Sequence, residues 1–170
     1  QNLRDKLDRV DRLVRETGTG TILIYGATRR TVEEVAEWLG QSHPSVGYYH
    51  AGLSDDARRL VHQDFRRGAV RILVATNAFG MGIDKPDVRL VVHFDIPGSV
   101  EAYYQEAGRA GRDGLPAACV LLFHERDVAT QEYFISQASK DSDGAERAGR
   151  MTTLLQELLG YVSASTCRQI

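Results

Sequence analysis

Apolar residues recur at helical spacing from the start of the chain. Leu3, Leu7, Val10, Leu13 and Val14 stand among charged residues and predict an amphipathic helix that ends at the TGTG of residues 17–20. The rhythm then changes. TILIY at 21–25 is a short β-branched run suited to a strand covered on both faces, and TVEEVAEWLG at 31–40 follows as a helix closed by Gly40. A second unit comprises VGYYH at 46–50 and SDDARRLVHQDFRRG at 54–68. There Ser54 suits the N-cap, Asp55 and Asp56 the first turn, and Gly68 the stop. RILVA, RLVVHF and AACVLLF read as three further strands, with a helix at 99–108, SVEAYYQEAG, between the last two. Strands alternating with helices predict an α/β fold with a mostly parallel sheet and helices on both faces.

SKDSDGAE at 139–146 reads as a polar connector. Beyond it Met151, Leu154, Leu155, Leu158, Leu159 and Val162 form one apolar stripe at helical spacing. No strand follows this helix, so its packing partner is expected outside the chain. The organisation expected is a leading helix and linker at 1–18, an α/β lobe at 19–140 and a helical extension at 141–170.

Composition narrows the class without choosing a function. The chain has 170 residues, enough for one domain with its own core and an additional terminal element. No apolar run reaches the length of a membrane span, no membrane partner is expected, and the charged start lacks the apolar core of a signal peptide. Cys119 and Cys167 are too few for a disulfide framework and fit a reducing compartment. The formal net charge is −2, so contact with nucleic acid would depend on local cations and backbone donors instead of a global positive field.

In open parallel sheets ligands bind beyond the carboxyl ends of the strands, where loops and helix N-termini converge. After TILIY come Gly26, Thr28, Arg29 and Arg30; after VGYY come His50 and Gly52; after RILVA come Thr76, Asn77 and the long loop AFGMGIDKPD; after RLVVHF comes Asp95. Thr28 suits either a helix cap or a ligand contact, and His50 either a hydrogen-bonded loop histidine or a contact residue. Gly80 and Gly82 would permit close backbone approach, and Asp84 offers an acceptor.

The segment QEAGRAGRDG at 105–114 sets Arg109 and Arg112 among Gly108, Gly111 and Gly114. Permanent cations in glycine-rich backbone suit phosphate, because the guanidinium fork donates to phosphate oxygens and stays charged. The chain has no G-x-x-x-x-G-K-[ST] and no acidic pair after an apolar strand that would hold magnesium. The arginines are therefore expected to reach a phosphate anchored by something else. No G-x-G-x-x-G follows the first strand, which argues against a dinucleotide-binding domain.

ILIYGATRRTVEEVAEWL at 22–39, AFGMGIDKPDVRLVVHFDIP at 78–97 and YYQEAGRAGRDGLPA at 103–117 together resemble the second RecA-like lobe of RecQ-type DNA helicases, in order and over about residues 21–127. The resemblance implies a RecA-like three-layer sandwich and an enzyme that couples ATP hydrolysis to 3′-to-5′ movement on single-stranded or forked DNA. DNA repair, recombination or replication is the implied setting, in the cytoplasm beside the nucleoid in a bacterium or in the nucleus of a eukaryote. By resemblance Arg112 is the arginine finger, with Arg109 beside it at the phosphates and Gln105, Gly82 and Asp84 near the nucleotide. Thr28, Arg29, His50, Thr76 and Asn77 correspond to positions along the DNA backbone.

ATP and Mg²⁺ would be held mainly by the family's first lobe, which the sequence does not contain; the chain reads as a fragment, inactive alone. STCRQI at 165–170 resembles the start of the family's zinc-binding subdomain, with Cys167 as first ligand for Zn²⁺ in the complete protein, while in this chain a free thiol is the reading its single ligand supports. Two departures stand out. Thr28 replaces the family's serine with its hydroxyl kept, and Gln169 replaces an arginine common after the first zinc cysteine. The alternative reading is a non-catalytic protein-interaction module that keeps a helicase-like fold, although a pure scaffold has no physical need for Thr76, Asp84, Arg109 and Arg112.

Overall fold

A computed structural model describes residues 3–80, 85–140 and 143–164. The elements run α1 (Leu3–Glu16), β1 (Thr21–Tyr25), α2 (Arg29–Gly40), β2 (Val46–Tyr49), α3 (Asp55–Arg66), β3 (Ile72–Ala75), β4 (Val88–His93), α4 (Val100–Ala107), β5 (Ala118–Leu121), α5 (Glu125–Ala138) and α6 (Gly144–Ser163). One five-stranded sheet has the order β2-β3-β1-β4-β5, and every neighbouring pair is parallel. The α/β fold and parallel sheet legible in the sequence are the ones observed.

Alternation along the central strands divides the core into two layers. Ile22 and Ile24 of β1, Ile72 and Val74 of β3, and Leu90 and Val92 of β4 face α1 and α2, where Val10, Leu13, Val14, Val32, Val35 and Leu39 meet them. Leu23 and Tyr25, Leu73 and Ala75, and Val91 face the opposite way, against Phe65 of α3 and Phe79 of the β3–β4 connection. Each fully buried aliphatic side chain contributes roughly 1.5–3 kcal/mol, which explains why Ile22–Ile24 of β1 and all of β3 are apolar and not alternately polar. α1 is part of this core. It also buries Lys6, whose ammonium donates to Phe94 O at 2.6 Å and to both Asp127 oxygens at 2.8 and 2.7 Å.

The helix starts follow local chemistry. Ser54 Oγ accepts from Ala57 N, Ser99 Oγ from Ala102 N, and Thr28 Oγ1 from Thr31 N. The stop after α3 falls at Gly68, as the sequence suggests.

Two features depart from the sequence expectation. α5 arises in a stretch that carries no clear apolar stripe, since its buried positions include the polar Asp127 and Gln131. α6 finds a packing partner within the chain: Leu155 and Leu158 close over Ile96, with Val100, Tyr103, Val128 and Ile135 around them, while Leu154 stays exposed. The apolar stripe of α6 was visible, but the surface that receives it is completed by α5. Among the described residues no helix is long and apolar enough to cross a membrane.

Candidate phosphate-facing loop and strand-end surface

The glycine loop after α4 is held by its backbone. Gly111 has φ +63°, and a Cβ there would lie 2.8 Å from Leu115 O, so a side chain at this position meets both a left-handed backbone and a collision. That turn lets Gly111 N donate to Val88 O at 2.9 Å and Asp113 N to Pro86 O at 3.3 Å, which fastens the loop to the amino end of β4. Arg89 extends the clamp, donating to Leu115 O and Pro116 O and pairing with Asp113. Desolvation works against ionisation of Asp113, but the Leu115 N–H and the Arg89 guanidinium outweigh it and hold the carboxyl below its usual range.

The two arginines of the loop differ in setting. Arg112 is exposed and its Nε donates to Gly108 O at 3.3 Å. Arg109 is half-buried and its Nη2 donates to Gly80 O in the β3–β4 connection, while its buried Nε has no partner among the described residues. Gln105 is exposed one turn earlier, donating to Glu101 at 3.1 Å. Gly82 and Asp84 lie outside the described residues, as does Cys167.

The polar residues at the carboxyl ends of the strands form a second surface. Thr28 caps α2, and the Arg29 guanidinium lies over Gly52, where a Cβ would stand 2.8 Å from its Nη1. His50 is buried, with Nδ1 accepting from Gly52 N at 3.1 Å and Nε2 facing Glu33 at 2.8 Å. Because Nδ1 must offer a lone pair to Gly52, the ring proton sits on Nε2 and points at the carboxylate. That is the geometry of a hydrogen-bonded loop histidine. Thr76 is buried and bonded through its backbone to Tyr49 and Phe79, whereas Asn77 is exposed and lines a cleft of about 420 Å³ between Tyr25, Asp95, Pro97, Gln131 and Phe134.

Asp95 is the residue of this surface whose weight sequence reading missed. Its Oδ2 accepts from Ala27 N at 2.8 Å, and Lys6 stands 3.8 Å away. Burial raises its carboxyl above the usual range, against the pull of that N–H and of the Lys6 ammonium. A polar residue at a strand end was the available signal; that a lysine from α1 would reach it was not.

Among the described residues no group of three or more His, Cys, Asp or Glu side chains could hold an ion. The glycine loop presents cationic donors of a kind that fits phosphate oxygens, and its described carboxylates Asp113 and Glu106 are paired with Arg89 and His93.

The model of the helicase conserved C-terminal domain matches residues 5–114. The chain is 39% identical over 160 residues to the ATP-dependent DNA helicase RecQ of Bacillus subtilis, covering 94% of this chain and 26% of that protein. It is 47% identical over 148 residues to the RecQ of Haemophilus influenzae, covering 87% and 23%. It therefore spans about a quarter of the length of these relatives. Among solved structures, the Escherichia coli DEAD-box protein SrmB superimposes with a TM-score of 0.68 at 28% identity, over 75% of each chain. Saccharomyces cerevisiae Dbp5 bound to RNA and ADP BeF3 gives 0.66 at 26% identity, over 91% of this chain and 43% of that one.

Proposed function

Because the chain belongs to the family of helicase conserved C-terminal domains, we propose that it is the second motor lobe of a RecQ-type 3′-to-5′ DNA helicase. Arg112 supplies a guanidinium to a nucleotide anchored by another lobe. The observation that carries this reading is the exposed Arg112 on a loop whose backbone is bonded to the start of β4. The side chain is accessible while its origin is fixed, and a positioned cation of this kind contributes to phosphoryl transfer only if reorganisation is small. Bound ATP with Mg²⁺ would supply the phosphoanhydride; the role of this chain is to bring positive charge to it as negative charge spreads over the transferring group.

The choice of DNA rests on the relatives named as DNA helicases and on the strand-end surface. Thr28, Arg29 and Asn77 present a hydroxyl, a guanidinium and an amide at one edge, donors suited to a phosphate backbone and indifferent to base sequence. Closure of the two lobes around ATP would displace this edge relative to the other lobe and convert hydrolysis into a step along the strand.

The test is reconstitution. The chain alone, given ATP, Mg²⁺ and single-stranded DNA, is expected to show no ATP turnover above background and weak, salt-sensitive DNA binding. Joined to a lobe that carries a phosphate-binding loop, it is expected to support DNA-stimulated turnover. Robust hydrolysis by the chain alone would overturn the assignment.

A further inference from the structure

Arg109 sits at the end of a buried set of side chains drawn from three elements. Tyr25, at the end of β1, is 4% exposed, and its Oη donates to Phe79 O at 3.4 Å. Arg109 Nη2 donates to the next carbonyl along the chain, Gly80 O. Behind Tyr25, the fully buried ring of His93 stacks against it at 5.6 Å with an interplanar angle of 22° and pairs through Nε2 with Glu106 Oε2 at 2.8 Å. Arg109 and Tyr25 thus grip the consecutive carbonyls of Phe79 and Gly80, in the connection that leaves the strand-end surface at Thr76 and Asn77. A tyrosine hydroxyl and a histidine buried beside the partly exposed Glu106 carboxylate, against a layer otherwise built of apolar side chains, add little stability over apolar groups of similar shape, which points to a purpose other than core packing.

We propose that Tyr25 is a positioning residue: stacked on the His93 ring that pairs with Glu106, its hydroxyl holds the Phe79 carbonyl and so sets the adjacent Gly80 carbonyl that Arg109 grips, which ties the glycine loop to residues 79–80. The inference rests on the reading of Arg109 as a residue at the phosphates. Tyr25→Phe removes one hydroxyl and keeps the ring stacked on His93. In the full-length protein it is expected to lower kcat for DNA-stimulated ATP hydrolysis about tenfold, the size of one hydrogen bond expressed in rate, with KM for ATP unchanged. The decisive readout is a double-mutant cycle with Arg109→Ala. If Tyr25 acts through Arg109, the double variant turns over no more slowly than Arg109→Ala alone.

Additive losses, or wild-type kcat in Tyr25→Phe, would overturn the proposal and leave the role of Arg109 intact. Wild-type turnover in Arg109→Ala would overturn both. Should Tyr25→Phe fail to fold, Glu106→Gln, which keeps shape and removes charge, is put through the same cycle with the same expected non-additivity, and additive losses there count equally against the proposal.

Discussion

At the carboxyl ends of the strands side chains are held by one another, whereas in the glycine loop the backbone is held and Arg112, bonded through Nε to Gly108 O, remains exposed. His50 is bonded on both ring nitrogens, Thr28 closes a helix, and Asp95 lies between the Ala27 N–H and Lys6. The loop instead spends its hydrogen bonds on Val88, Pro86 and Gly80. The difference suits what each surface would touch under the proposed function. A strand sliding past needs a stable edge with few committed donors. A phosphate in a closing cleft needs a charge delivered to one place, and that requires a rigid origin and an exposed side chain.

The comparison can be broken most forcefully from the inside. Lys6→Met leaves Asp127 and Asp95 buried without their cation, and is expected to cost about 3–5 kcal/mol in urea unfolding, with the strand-end surface disordered first by hydrogen exchange. Gly111→Ala attacks the other surface. A left-handed backbone and a Cβ at 2.8 Å from Leu115 O are expected to cost about 1–2 kcal/mol or more and to loosen the glycine loop while leaving the strand-end amides protected. Arg29→Ala, which touches only the exposed edge, is expected to leave stability within about 0.5 kcal/mol and to lower the salt slope of DNA binding by about one.

The smallest effects are those of pH, and they have opposite signs on the two surfaces. Asp95 has its folded value raised above 3.8, so its contribution is fully present at low pH and is lost as pH rises through the raised value. Asp113 has its folded value lowered, so its contribution is present above 3.8 and is lost as pH falls through the lowered value. Thermal unfolding between pH 3 and pH 7 therefore separates them: Asp95→Asn should remove a gain on acidification, and Asp113→Asn should remove a loss. Equal slopes in both variants would contradict the assigned environments.

The sheet was legible because its central strands are apolar on both faces, and the helix starts because Ser54 and Thr28 sit where caps are needed. α5 was not legible. Its capping box is formed by His124 and Asp127 instead of a hydroxyl residue, and it is anchored by Lys6–Asp127 and by Gln131 donating to Ile96 O at 2.7 Å, interactions that no local pattern announces. The cationic glycine loop stood out as residue types in sequence, yet the difference between Arg109, half-buried and bonded to Gly80 O, and Arg112, exposed, depends on a tertiary contact that the loop's own sequence does not announce. Tyr25, His93 and Glu106 looked like ordinary strand and helix residues, and only the parallel pairing of Tyr25 with His93 in adjacent strands brings them together.

The most direct test places the two surfaces in one experiment. In the full-length protein, kcat for ATP hydrolysis at saturating single-stranded DNA is measured beside DNA affinity for Arg112→Ala. Turnover is expected to fall by roughly a thousandfold while nucleotide-free DNA affinity stays at the wild-type value. Normal turnover, or a loss explained by weakened DNA binding, would contradict a lobe that keeps its phosphate-directed charge apart from its nucleic-acid edge.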